Sequence, residues 1–439
     1  MINRWKEVDV DWEEGKCCYT GTVIEAPIEK DKSVWCNVAL CKGQNVYLYI
    51  AKDSFSQSIK MGEQLMFYTQ MRKPDNDGLQ FDYASYLLYK GVSGTAYVPL
   101  GAWQKLQKPI ILTWKQRALQ IREKIVNLYK SWGIDENQVP VLSALTVGYK
   151  GDLSDDVRDK YSVAGISHVL ALSGMHVGFL WMMLNFLFKP LNRKGWRLIK
   201  YMITAIFLCF FAFIAGWEVS VTRAVIMCLL MEFAALLNSR SMSMNTLAIA
   251  ASLMLVYNPF YLFDVGFQLS FLALLSILLF YNYLYKLCRF NLFIVRRIWS
   301  VLSVSMAAQL GTAPLVMYYF SNFSVYFLLA NIVVAMLVPC IIYTTFFFLL
   351  INIFTSIPQW MITTLDEMVK ILSDFAGWIV TLPYASFSIK SMSQVEVWGL
   401  YLLIGIVWWY CAVRKRIVFI AMLATIALWL ILHCCLILK

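Results

Sequence analysis

The sequence predicts an α-helical polytopic membrane protein of about nine to ten membrane segments, preceded by a small all-β domain. Three observations carry the prediction. The chain is 60% hydrophobic and only 15% charged, with a mean hydropathy of +0.61; soluble domains are about 45–50% apolar and about 25% charged. After residue 164, apolar runs near membrane length repeat to the end of the chain. The first hundred residues instead carry short runs rich in Val, Tyr, Phe and Thr, punctuated by Gly and Pro.

Residues 1–16 are polar and charged, without the apolar core of a signal peptide. Strand-sized runs follow over Cys18–Ile24, Val34–Leu40, Asn45–Ala51 and Gln64–Met71, separated by Pro27, Gly43 and Gly62. That spacing suits a small barrel or sandwich, and an OB-like barrel is the natural candidate for residues 1–110. Pro74-Asp75-Asn76-Asp77-Gly78 marks a turn, Phe81–Tyr89 a short helix ending at Gly91, and Gly94–Val98 a further strand. Cys17, Cys18, Cys36 and Cys41 lie in this part, where a disulfide of unreadable connectivity is open.

Residues 111–164 form a connecting region. Thr113 suits the N-cap of an amphipathic helix over 113–132, whose apolar stripe includes Leu119, Ile125, Val126 and Tyr129. Such a stripe fits either a membrane surface or the chain's own interior.

Residues 165–439 are the polytopic part. Spans are expected at 165–188, 198–216, 219–238, 244–257, 262–282, 298–320, 325–338, 340–356, 396–412 and 416–437. Pro339 is expected to break the run from Val325 to Phe354 into two short spans or a re-entrant pair. Region 357–395, with Asp366, Glu367, Lys370 and Asp374, reads as a surface helix and loop. The net charge of +11 lies mostly after residue 168, in basic loops at 189–200, 286–297 and 413–416. Short basic loops stay cytoplasmic, which places residues 1–164 outside. A folded domain without an export signal is hard to translocate, so the expectation is that apolar helices once preceded it.

The chain has three histidines, and two lie in Gly165-Ile166-Ser167-His168-Val169-Leu170-Ala171-Leu172-Ser173-Gly174-Met175-His176. Titratable groups at the start of an apolar span are costly, and function is the default account of their presence. Ser173-Gly174 sits where a helix lining a polar cavity would break. Three readings stay open for His168, Ser173 and His176. They gate a translocation path, they pack helices together, or Ser173 and His176 form the nucleophile pair of an intramembrane hydrolase. Arg223, Gln268, Gln309 and Asn331 are further polar residues inside apolar runs, and together they imply a polar interior. Arg223 and Glu232 are nine apart on one helix and face opposite ways. In the β-rich part Tyr19, Trp35, Tyr47 and Tyr49 interleave with Lys42 and other lysines, a pattern that suits single-stranded nucleic acid and also any half-buried barrel strand.

The sequence carries no G-x-x-x-x-G-K-[ST], H-E-x-x-H or C-x-x-C motif. It therefore implies no P-loop ATPase, no metal site and no cofactor.

Several stretches in order resemble the ComEC-type competence proteins. They are Phe81–Leu87 with Lys90-Gly91, the Gly165–His176 segment, Ser220–Met227, Asn258-Pro259, Phe267–Phe271, Gln309–Pro314 and Leu328–Asn331. The resemblance implies an OB-like extracytoplasmic domain and a membrane channel, not an enzyme, that passes single-stranded DNA into the cytoplasm. It places the chain in a bacterial inner membrane. The implied partners are single-stranded DNA, the lipid bilayer, a DNA receptor and a cytoplasmic ATPase or helicase, with self-assembly into a homo-oligomer left open. The pattern departs from the family at both ends: the amino-terminal helices and the carboxy-terminal metallo-β-lactamase-like domain of many relatives have no counterpart in the sequence. A secondary transporter of a small solute is the main rival reading, and its expected internal repeat is not evident.

Overall fold

A computed structural model describes residues 10–29, 32–41, 43–53, 55–75, 83–106, 113–193, 195–237, 243–388, 392–413 and 425. They divide into two compact units. One is Met1–Leu128 with Cys209–Glu218 and Leu253–Asp264; the other is Tyr129–Leu208, Val219–Ser252 and Val265–Lys439.

The first unit is built on a seven-stranded sheet of β1 (Cys17–Val23), β2 (Ile28–Glu29), β3 (Ser33–Leu40), β4 (Asn45–Ala51), β5 (Gln64–Thr69), β6 (Val92–Val98) and β7 (Trp103–Leu106). Its order is β6-β4-β3-β1-β5-β7, with β2 beside β3. All the pairings are antiparallel except β4 with β6, which is parallel. The two ends meet. Arg72, just past β5, exchanges both backbone hydrogen bonds with Thr95 of β6 at 3.0 and 2.9 Å. The strand order β1-β3-β4-β6-β5 thus returns to β1.

Alternation explains these strands. In β3 every second side chain (Val34, Cys36, Val38, Leu40) is buried, and β4 matches it with Val46, Leu48 and Ile50. Leu65, Phe67, Ala96 and Val98 complete the core. A Cβ at Gly21 would lie 2.8 Å from the Ala39 carbonyl, so β1 crosses β3 closely only because no side chain intervenes. The four cysteines of this region are free thiols; Cys36 is sealed in the core, and burial pushes its thiol up to about 12.

Helix α1 (Tyr83–Tyr89) precedes β6, and Tyr89 stacks on Phe263 at 4.7 Å. Helix α2 (Trp114–Ser131) opens with a reciprocal cap: Thr113 Oγ1 accepts from the Gln116 N–H at 3.3 Å, and Gln116 Oε1 accepts from the Thr113 N–H at 2.9 Å. Gln116 Nε2 then donates to the Val23 carbonyl at 3.0 Å. Ala118, Leu119, Val126 and Tyr129 are buried, so the stripe faces protein.

The second unit is helical. In order it holds α3 (Val139–Val147), α4 (Asp155–Val163), α5 (Ser167–Leu170), α6 (Gly174–Leu187), α7 (Arg197–Ile214), α8 (Val219–Leu236) and α9 (Ser243–Tyr257). Then come α10 (Val265–Leu287), α11 (Phe293–Phe320), α12 (Phe327–Phe354), α13 (Gln359–Val380) and α14 (Gln394–Val413). Helices α7 and α9 each run from one unit into the other. Five of the described helices, α7, α8, α10, α11 and α12, are long and apolar enough to cross a membrane; α6 and α9 are shorter apolar helices. Strands β8 (Asn322–Ser324) and β9 (Ser386–Ser388) pair as a small ribbon that the apolar pattern does not announce.

The expected spans need four corrections. The first, 165–188, is not one helix: α6 begins only at Gly174, and its fourteen residues cover about 21 Å. Pro339 does not divide its run. Helix α12 continues through it for 28 residues, flanked by buried Val334, Val338, Ile341 and Ile342, because packing holds a helix whose proline has cost it one hydrogen bond. Arg296 and Arg297 belong to the first turn of α11, over the Phe293 ring, rather than to a loop. Lys200 is likewise helical and buried. The basic run 414–416 and the span 416–437 fall outside the described residues, apart from Thr425. Helix α13 is the expected amphipathic element: Ile362, Leu365, Val369, Leu372 and Ala376 are buried while Trp360 and Trp378 are exposed.

Candidate functional site

The Gly165–His176 segment folds as a broken helix. Gly165 has φ +78°, and a Cβ there would lie 2.8 Å from Ser324 Oγ and 3.0 Å from Phe327 Cβ. Both the left-handed backbone and the close approach to the start of α12 require glycine. After the single turn of α5, Ala171 and Ser173 are extended, and α6 starts at Gly174.

Ser173 caps α6. Its Oγ accepts from the Met175 N–H at 3.3 Å, and its own N–H donates to His176 Nδ1 at 3.2 Å. Ser173 Oγ also lies 3.0 Å from that nitrogen. The imidazole therefore replaces the Glu of a usual capping box. Because Nδ1 accepts, the neutral ring carries its proton on Nε2. His176 is only 1% exposed, and Nε2 has no partner among the described residues. The hydroxyl and Nδ1 are thus both committed to the cap, and nothing orients Nε2 as a catalytic base would need.

His168 is exposed, the second residue of α5. Asn331 is one turn beyond Phe327 on the same face of α12, the side that Gly165 approaches. It is half-buried and makes no hydrogen bond among the described residues.

Arg223 meets α6 from the other side. It is 8% exposed, and Nε and Nη1 have no partner among the described residues. Nη2 points at the first residue of α6: a Cβ on Gly174 would lie 2.6 Å from it. The guanidinium also sits over the Phe271 ring at 5.6 Å. Gln268, one turn before Phe271 on α10, accepts from the Tyr319 hydroxyl at 2.9 Å.

The structure therefore joins Ser173 to His176 and sets Arg223 against Gly174 between them; none of these contacts includes His168, Asn331 or Gln268. Gln309 is half-buried on α11 without a hydrogen bond among the described residues, and no contact joins it to the cluster. The adjacent Gly311 serves packing. A Cβ there would be 2.7 Å from Ser276 Cβ and 2.9 Å from the Leu272 carbonyl, and its own carbonyl accepts from the Tyr401 hydroxyl at 2.8 Å.

A second polar cluster was not legible in the sequence. Lys200 Nζ lies 3.5 Å from Glu232 Oε1, donates to Asn192 Oδ1 at 3.1 Å and reaches Asn185 Oδ1. Trp181 Nε1 donates to the same Glu232 oxygen at 3.1 Å. The i, i+4 steps Trp181/Asn185 on α6 were the one available signal.

On the barrel, Trp35 and Tyr47 meet edge to face at 4.9 Å, and Trp35 and Tyr49 are register partners on β3 and β4. Tyr49 is in turn the partner of Tyr97 on β6. Tyr49 and Tyr97, with Tyr68, Lys16, Gln70 and Arg72, border a cleft of about 460 Å³ that Trp35 and Tyr47 do not line; Tyr68 and Tyr97 are more than half exposed. Tyr19 faces the other way. Its ring packs 6.1 Å from Trp12 and 6.0 Å from Phe67, at the edge of the core. Lys42 lies outside the described residues. Among those residues no three His, Cys, Asp or Glu side chains converge as metal ligands would.

A family model described as "Competence protein" matches residues 145–414, a range that holds every element of the broken-helix cluster. This chain belongs to the competence protein family. The ComEC-type resemblance read from its motifs therefore stands. ComE operon protein 3 of Bacillus subtilis (strain 168) is 29% identical over 246 residues, 56% of this competence chain and 30% of that protein. An uncharacterized protein of Aquifex aeolicus (strain VF5) is 28% identical over 280 residues, 63% of this chain and 61% of that one. The competence chain thus spans under two thirds of the length of either relative. No solved structure matches it.

Proposed function

We propose that this competence protein conducts single-stranded DNA across the bacterial inner membrane during natural transformation, along a path beside His168, Ser173, His176 and Arg223. One observation carries the reading. A helix of the apolar bundle is broken at Ser173-Gly174, and the break faces a buried cation without a counter-ion among the described residues. Backbone of this kind is tolerated at membrane depth where it lines a polar cavity, and intramembrane charge marks a conducted ligand. Gln268 and Asn331 add half-buried polar groups on neighbouring helices, and Gln309 is a weaker member of the same set.

We read the barrel as OB-like. Five strands returning on themselves, with a single parallel pair, fit that Greek-key barrel, and the face of its second and third long strands is the usual nucleic-acid surface. Here those strands are β3 and β4, which carry Trp35, Tyr47 and Tyr49. Aromatic platforms beside cations bind single strands by stacking, tolerant of sequence. The chain has no P-loop motif, so the reading requires an outside motor, met by a cytoplasmic ATPase or helicase, and a receptor that delivers the strand.

The test is internalisation of labelled DNA in a competent host carrying His168→Ala with His176→Ala. Loss of nuclease-protected DNA, with the protein still inserted at wild-type level, is the expected outcome. Normal transformation would remove these residues from any path.

A further inference from the structure

Arg223 poses a physical problem that the fold leaves open. A guanidinium removed from water is costly unless an anion accompanies it. None does among the described residues: Nε and Nη1 are sealed without acceptors, and the only aromatic contact is Phe271. Its neighbour makes matters worse. Nη2 points at Gly174, the first residue of the fourteen-residue α6, and the positive end of a helix repels a cation. In the same turn, His176 presents a buried Nε2–H with no acceptor.

These are the parts of an anion site. A guanidinium and an imidazole N–H are both left without acceptors among the described residues, beside a helix N-terminus whose Met175 N–H is capped by Ser173. Gly174 matters because its lack of a Cβ is what lets Nη2 approach the helix end. We infer that Arg223 and the N-terminal turn of α6 form a binding site for one phosphate group. The inference rests on the single-strand path proposed above and gives it a fixed step. A phosphodiester pauses at Arg223, and each passing nucleotide renews the counter-ion that the protein lacks. The guanidinium is suited to the task because its planar fork matches phosphate oxygens.

The same chemistry would accept a lipid headgroup phosphate or free phosphate, so the test separates the sources. Full-length protein is purified in a maltoside detergent, which has no phosphate, at constant ionic strength with gluconate as counter-ion. Thermal unfolding is followed against inorganic phosphate for the wild type, Arg223→Gln and Arg223→Lys. The expected result is a saturable, phosphate-dependent rise in Tm for the wild type, a weaker rise for Arg223→Lys and none for Arg223→Gln. Without phosphate, Arg223→Gln should melt no lower than the wild type, because an uncompensated charge has been removed. Should it fail to fold, Gly174→Ala is the second variant; its Cβ displaces Nη2 and should abolish the same rise. Equal phosphate shifts in wild type and variants would overturn the site.

A short oligothymidylate and its uncharged methylphosphonate analogue supply the second arm. For the charged strand, the slope of log affinity against log salt should fall by about 0.7 in Arg223→Gln, the value of one phosphate contact on a single strand. The analogue should show no such dependence on Arg223. If phosphate binds through Arg223 but oligonucleotide neither binds nor competes, the anion site stands and the DNA path falls. If phosphatidylglycerol competes and the oligonucleotide does not, the site stands as a lipid site.

Discussion

Helix α8 carries two buried ionisable residues with opposite surroundings. Glu232 has its charge met by Lys200, with Asn185, Asn192 and Trp181 completing the network. Two and a half turns earlier, Arg223 Nε and Nη1 have no acceptor among the described residues, and Nη2 faces a helix N-terminus. The same helix thus holds one finished network and one unfinished one. A finished network is a structural pin: its members satisfy one another and leave nothing for a ligand. An unfinished one keeps its cost only if something outside the chain answers it.

The contrast makes its largest prediction at the finished site. Lys200→Met strands a buried carboxylate and should destabilise the protein by about 3–5 kcal/mol. Unfolding of purified protein measures this, and the double variant Lys200→Met with Glu232→Met should recover most of the loss. Arg223→Met should not share that penalty. If both single variants lose stability equally, the two sites do not differ in kind and the comparison is broken.

Next in size is the barrel cleft. Tyr68→Ala with Tyr97→Ala removes two exposed rings while leaving the core intact, and should weaken oligothymidylate binding by about 1–3 kcal/mol per lost stack. Fluorescence anisotropy on the intact chain reads it. Tyr19→Ala, by contrast, should act on stability, since that ring packs against Phe67.

Smaller again is Ser173→Ala, which removes the α6 cap and should cost about 1 kcal/mol. It sharpens the comparison because it removes the hydroxyl beside His176 Nδ1, leaves the backbone N–H bond to that nitrogen in place and does not touch Arg223. The smallest effect is chemical. Cys36, sealed in the barrel and held up to about 12, should resist alkylation at pH 8 while exposed Cys18 and Cys41 react. Peptide mass mapping checks it; its thiol becomes the reactive thiolate only as pH rises toward that value.

How much of this was legible in the sequence depends on how local the cause was. The barrel strands follow from alternation alone, and β4 was bounded correctly as Asn45–Ala51. The break at Ser173-Gly174 was legible because a capping residue and a glycine interrupt an apolar run. Pro339 misled for the converse reason: a proline ends a helix only if nothing else holds the helix, and buried neighbours on both sides hold α12. Lys200 was read as a loop cation because its partners, Asn185 and Glu232, come from other helices, and no spacing within its own segment records them. Arg223 was legible as a polar residue inside a span. That its Nε and Nη1 lack a partner among the described residues is a fact about three dimensions. The inward turn of Tyr19 follows from its register opposite Phe67, which only the pairing of β1 with β5 reveals.

The most direct measurement places a photo-activatable cross-linking residue at position 168 in competent cells and illuminates them while labelled DNA is entering. The proposed path predicts a covalent adduct between this position and the incoming strand, absent when a control residue on the exposed face of α8, such as Phe233, carries the same group. Adducts only to lipid or to neighbouring helices at position 168, with uptake otherwise active, would contradict it.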